Sequence, residues 1–232
     1  ADNDSAGFTK SKSTVSVSET GTTDTFTVVL NIQPASDVVI SVTSGDTGEA
    51  TVSPSSLTFT SSNWATEQTI TVTGVNDTVV DGTVNSTITL AVVDGSSNDN
   101  YDPLANQTVT AATADNDSPG FTVTQTGGST AVSETGSTDT FTVVLNMQPA
   151  SNVVIDVSSG DTGEATVSAS SLTFTTGNWD SAQTITVTGV ADNAIDGSQN
   201  TTITLAINDG SSNDLWDSLA NQTVTASTAD PW

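Results

Sequence analysis

Carboxylates are the only side chains this sequence offers in number for chemistry. The 232 residues include 27 Asp and Glu against Lys10 and Lys12, with no Arg, His or Cys, for a formal charge of −25. The acidic run Asp115-Asn116-Asp117 sits in the stretch ADNDSPG at 114–120, the chain opens on the similar ADNDSAG, and it closes on the broken echo ADPW. Without imidazole or thiol, most general-base and nucleophile arrangements cannot be assembled, so the chain reads as no enzyme. A carboxylate pair of the glycosidase kind is compatible with the composition, but the acids cluster in loops that a metal explains. What such oxygens do well is bind hard cations, and calcium accepts six to eight carboxylate, carbonyl and amide oxygens in flexible geometry. Magnesium, which demands a rigid octahedron, fits less well.

The acidic junctions bracket two similar blocks. Residues 18–114 and 133–229 align without a gap, and about three quarters of the paired positions are identical. Self-similarity at a domain-sized period signals a tandem array of folded units, here 1–117 and 118–232. The chain thus reads as a piece of a longer array, with its targeting signals elsewhere. The strongly negative charge argues against nucleic acid and anionic membranes as partners. No apolar run is long enough to span a bilayer as a helix.

The elements that must position the acids are β-strands. Alternation of period two runs through Val15 and Val17, through Phe26, Val28 and Leu30, and through Val38, Ile40 and Val42. It continues through Leu57 and Phe59, Ile70 and Val72, residues 87–93 and residues 107–113, with threonines on the wet face. Seven short strands per block predict an all-β fold of two tandem Greek-key β-sandwiches, immunoglobulin-like in type. Trp64 and Trp179 are expected to plug one end of each sandwich.

Strand parity sorts the loops. If successive strands alternate in direction, one pole of the first block gathers Glu19, the Asp46–Glu49 loop, Asn76, Asp77 and Asp81, and the junction Asp115-Asn116-Asp117. Carboxylates several ångströms apart repel by roughly 1–3 kcal/mol per pair at an effective surface dielectric. No Lys or Arg lies in these loops to offset that. The Gly45-Asp46-Thr47-Gly48 stretch also suits a plain turn in which Asp46 bonds its own backbone. The loops 94–106 and 209–221, at the other pole, are polar turns or further oxygen donors.

The order SETG, then alternating strands, then GVND and an acidic loop, ending in TVTAATADND, resembles the Calx-beta calcium-binding repeat. It resembles still more the immunoglobulin-like repeats of very large bacterial surface adhesins, and the likeness covers both blocks almost end to end. This resemblance implies calcium at the C-terminal pole, held by Glu19, Asp77, Asp81, Asp115, Asn116 and Asp117, with Asp46 a further candidate. In the second block the matching positions are Glu134, Asp192, Asp196 and Asp230, with Asp161 a further candidate. The second block departs from the pattern where its terminal triplet is cut to Asp230-Pro231-Trp232.

The expectation is therefore a calcium-binding extender module of a secreted or cell-surface adhesin or extracellular fibre. Calcium would stiffen the joint between neighbouring repeats of the same chain. Two alternatives stay open. One is a recognition module whose pole loops bind a glycan or protein, with Tyr101 and Trp216 as candidate exposed aromatics. The other is a subunit that self-assembles with other chains in a filament.

Overall fold

A computed structural model describes residues 5–192 and 194–230. In the first block the strands are β1 (Phe8–Lys10), β2 (Thr14–Ser18), β3 (Thr23–Leu30), β4 (Val38–Ser44), β5 (Ala50–Ser53), β6 (Ser56–Phe59) and β7 (Gln68–Gly74). They continue as β8 (Val79–Val80), β9 (Val84–Val92) and β10 (Gln107–Ala114). The second block supplies β11 (Phe121–Gln125), β12 (Thr130–Ser133), β13 (Thr138–Leu145), β14 (Gln148–Pro149) and β15 (Val153–Ser159). It ends with β16 (Ala165–Val167), β17 (Ser171–Phe174), β18 (Gln183–Gly189), β19 (Gln199–Ile207) and β20 (Gln222–Ala229). Among the described residues the only helical pieces are four short 3-10 turns, none long and apolar enough to cross a membrane.

The chain divides into two compact units, 1–77 with 82–116, and 78–81 with 117–232. Each unit is a sandwich of a four-stranded and a five-stranded sheet. In the first unit the sheet orders are β1-β3-β7-β5 and β2-β10-β9-β4-β6. In the second they are β11-β13-β18-β16 and β12-β20-β19-β15-β17. These are the two sheets of an immunoglobulin-like Greek key.

The seven expected strands appear as nine segments because two of them change sheets midway. The first begins as β1, antiparallel to β3, and continues as β2, parallel to β10. The fourth begins as β5 against β7 and continues as β6 against β4. Such switching ties both edges of the sandwich together and leaves only short edge strands.

The sequence pattern produces the core directly. In β3 the side chains of Phe26, Val28 and Leu30 are buried while the residues between them are half-exposed. Phe26 pairs with Ile70 of β7, and Ile88 of β9 with Val109 of β10, so apolar residues stand opposite each other across each ladder. Each such side chain removed from water is worth about 1.5–3 kcal/mol. Trp64 and Trp179 pack against the two cores from partly buried positions.

Tyr101 and Trp216 differ from their expected exposure. They are 1% and 0% exposed, among the largest fully buried side chains of their units. The Tyr101 hydroxyl donates to the Ile32 carbonyl at 2.7 Å. The loops 94–106 and 209–221 are polar in sequence, but turns in both direct the one aromatic of each loop into the core.

One glycine position in each unit holds two strands unusually close. A Cβ at Gly74 would lie 2.1 Å from the Ser18 carbonyl oxygen, and one at Gly189 would lie 2.2 Å from that of Ser133. Ser18 and Ser133 immediately precede Glu19 and Glu134, so these glycines set where two of the acids enter the pole. Gly189→Ala is expected to destabilise the second unit by about 1–3 kcal/mol, as overpacking against backbone does. Urea unfolding would show the loss in the second unit's transition alone.

Candidate metal centre

In the first unit the pole is built from the ends of strands. Glu19 follows β2, and its amide donates to the Ala114 carbonyl at 3.0 Å, which fixes it beside the end of β10. Its carboxylate accepts from the Asn116 backbone N–H at 3.2 Å. Glu49 stands at the entry to β5, where its carbonyl accepts from the Val75 amide at 2.8 Å and from the Thr113 hydroxyl at 3.3 Å. Both glutamates are buried, at 2% and 6% exposure.

One carboxylate oxygen each from Glu19, Glu49 and Asp77 lies within 4.8 Å of the other two. Glu19 and Asp115 likewise approach within 4.8 Å. Amides and backbone brace the surrounding loops. The Asn116 side chain donates to Asn76 Oδ1 at 2.7 Å, Asn76 Nδ2 donates to the Asp77 carbonyl at 2.7 Å, and the Gly82 amide donates to Asp115 Oδ2 at 2.9 Å. Asp81 and Asp117 fall in the second unit.

The second unit repeats the design on its own acids. Glu134 donates its amide to the Ala229 carbonyl at 3.1 Å, and the Glu164 carbonyl accepts from the Val190 amide at 2.8 Å. Their side chains are 6% and 8% exposed. Two trios of carboxylate oxygens form, each within 4.8 Å: Glu134, Asp196 and Asp230, and Glu164, Asp192 and Asp196. Asp196 belongs to both. Glu134 Oε1 and Glu164 Oε2 are buried and accept no hydrogen bond.

Electrostatics at this pole runs one way. Burial, and then Asp230, Asp192, Glu164 and Asp196, push the Glu134 carboxyl above the ordinary carboxylate range. Burial, and then Asp196, Asp192, Asp161 and Asp230, do the same to Glu164. The second unit contains no Lys, Arg or His to reverse either shift.

Asp46 and Asp161 take a different part. Asp46 Oδ1 accepts from the Gly48 amide and Asp161 Oδ1 from the Gly163 amide, each at 2.9 Å, the local turn such residues favour. Neither joins a trio. Asp161 nonetheless adds to the field on Glu164.

Glu49 and Glu164 are the pole residues that the resemblance does not supply. Strand parity places Glu49 at this end, but its burial is visible only in the structure. The available signal is position: each Glu immediately precedes a fully buried alanine, Ala50 or Ala165, at the start of an inward-turning strand.

Acids also meet in the loop after β9 and in its counterpart after β19. Asp102 is raised by burial and by Asp94 and Asp99, and Asp217 is raised by Asp209, by burial and by Asp214. Both are partly exposed.

No family model and no curated protein matches the chain. Among solved structures, domains 4 and 5 of the S-layer protein SbsC align over 97% of this chain and 98% of that one, at 17% identity and a TM-score of 0.37. The apo-form Calx CBD1 domain aligns over 48% of this chain and 98% of its own, at 14% identity and a TM-score of 0.35. A Porphyromonas gingivalis protein of unknown function aligns over 96% and 99%, at 9% identity and a TM-score of 0.35. Likeness this distant does not bear on the chemistry of the pole.

Proposed function

We propose that the chain is a non-catalytic structural module that binds calcium at one pole of each sandwich. The observation that carries this reading is the pair of buried glutamates at each pole. In the second unit, two carboxylates more than nine-tenths buried stand among four aspartates, with no basic residue in that unit and with one oxygen of each glutamate lacking a hydrogen bond. A buried carboxylate is tolerable only when protonated, paired or bound to metal. A bound cation offsets so many acids at once while leaving them ionised.

The donor set selects the ion. All side-chain donors are carboxylate or amide oxygens, which suits calcium and does not suit zinc or copper. Glu134, Asp196 and Asp230 would hold one ion, and Glu164, Asp192 and Asp196 a second. In the first unit Glu19, Glu49, Asp77 and Asp115 would serve. Bound calcium would supply positive charge that neutralises the pole, while the strand ends keep the glutamates in place.

The role that follows is mechanical: an extender repeat of an extracellular or cell-surface protein. Asp115 and Asn116 follow the end of β10 and lead into the segment that joins the two units in sequence, so calcium at the first pole would also restrain that segment. The acidity, the tandem repeat and the want of other staples such as disulfides support the reading. A loop-borne recognition module is less well supported, because its aromatic candidates Tyr101 and Trp216 are core residues.

Small-angle X-ray scattering of the whole chain tests the mechanical part. The expected result is a narrower distribution of long interatomic distances in calcium than in chelator. Superimposable profiles in the two conditions would sink it.

A further inference from the structure

The chain leaves the first unit after Asp77, gives residues 78–81 to the second, and returns to the first at Gly82. Within the second unit this strap is an integral part of the fold. There β8 pairs in parallel with β14, Val79 opposite Gln148 and Val80 opposite Pro149. The Gln148 amide donates to the Thr78 carbonyl at 3.3 Å. Val80 is 2% exposed and belongs to the second unit's hydrophobic core. An aliphatic side chain buried this fully stabilises the core that holds it.

Both ends of the strap are tied to the first unit's pole. On the entering side, Asp77 gives one carboxylate oxygen to the trio with Glu19 and Glu49. Asn76 beside it accepts from the Asn116 side chain at Oδ1 and donates from Nδ2 to the Asp77 carbonyl, each at 2.7 Å. On the leaving side, the Gly82 amide donates to Asp115 Oδ2 at 2.9 Å. Asp115 in turn comes within 4.8 Å of Glu19. A single peptide bond therefore separates an acid of the first pole from a strap that fills the second core.

We infer that the strap 78–81 couples the two units, so that a cation held at the first pole stabilises the second unit. The inference rests on the cation reading of that pole. Without a cation the carboxylates of Glu19, Glu49, Asp77 and Asp115 repel one another, and no Lys or Arg lies in their loops to offset this. Repulsion is relieved when the loop swings its acid outward. That movement carries Thr78–Asp81 along and draws Val80 out of the second core. With the cation bound, both ends of the strap are fixed, so docking Val80 costs less conformational entropy.

Linkage makes the effect reciprocal: whatever factor the cation adds to docking of the strap, docking adds to binding of the cation. The second unit's own pole need not be filled for this to operate. Repeats joined in this way fold as a coupled series, in which occupancy of one pole is felt in the next unit.

Hydrogen exchange read by mass spectrometry tests the coupling in the full E134Q/E164Q chain. Its second unit lacks its own buried glutamates, so a calcium effect there must arrive from the first. Calcium is expected to slow exchange in β13 and β15 about tenfold or more relative to chelator. Adding Val80→Ala is expected to abolish that protection, while saturating calcium still protects β2 and β10 of the first unit. Titration calorimetry supplies the reciprocal reading, in which Val80→Ala weakens calcium binding at the first pole about tenfold.

Protection of the first unit without the second overturns the coupling and leaves the cation reading standing. Protection of the second unit that survives Val80→Ala also overturns it, because another route then carries the effect. No calcium protection in either unit overturns the cation reading and the coupling together.

Discussion

Saturating calcium is expected to raise the melting temperature of the metal-free chain by roughly 10–15 °C. A ligand bound only by the folded state stabilises by about 3–4 kcal/mol when its concentration is a hundred to a thousand times the dissociation constant. For units of this size, each kcal/mol is worth about 4 °C. Magnesium at the same concentration is expected to give only a small part of that increase, because the pole's irregular oxygens do not form a rigid octahedron. Calorimetric melting in chelator, magnesium and calcium checks both statements, and equal melting in all three would remove the case for a specific site.

The second large effect is a reversal of sign. Replacing both Glu134 and Glu164 with Gln removes two buried negative charges and keeps their shape. In chelator the second unit of the E134Q/E164Q chain is expected to melt several degrees higher than in the unmodified chain. In calcium it is expected to melt lower, because the ligands are gone. A residue serving only as packing would shift both conditions in the same direction. A crossing of the two curves is therefore specific to charges that a cation must neutralise.

Proton binding offers the same test without mutation. The Glu134 and Glu164 carboxyls are raised in the folded state, first by burial and then by their acidic neighbours. The folded chain therefore holds protons more tightly than the unfolded chain over that range. Stability is greatest where both carboxyls are protonated, and is lost as pH rises from the ordinary carboxylate range through the raised folded values. In chelator the melting temperature is expected to climb as pH is lowered from about 7 toward about 5. Calcium is expected to flatten or invert this slope, since it favours the ionised form. Melting curves across that range, with and without calcium, decide it.

The strands were legible because each is an uninterrupted run of alternating apolar and polar residues, as in Phe26, Val28 and Leu30. The sheet changes were not, because Ser11–Ser13 and Ser53–Ser55 carry no alternation, and partner choice is settled by packing across the sandwich. Ala50–Ser53 was hidden for a related reason. Its one buried residue is a small alanine, and the Gly-Asp-Thr-Gly stretch before it reads as a loop.

The pole itself follows from counting strands, which sends Glu19, Glu49 and Asp77 to one end. Burial of the glutamates does not follow from counting. It depends on how closely Gly74 and Gly189 let neighbouring backbone approach. Tyr101 and Trp216 were misplaced because their neighbours are Asn, Asp and Ser, and the turns that swing the rings inward leave no trace in hydropathy. Val79–Val80 and Ala194–Ile195 hold matching positions in sequence, and only the structure shows Val80 buried and Ile195 exposed.

Isothermal titration of calcium into the metal-free chain, beside the E134Q/E164Q chain, tests the central claim most directly. The account predicts saturable binding by the unmodified chain in physiological salt, and loss of the second unit's share of the ions in the variant. Heat that never saturates, or the same number of ions bound by both chains, would contradict it.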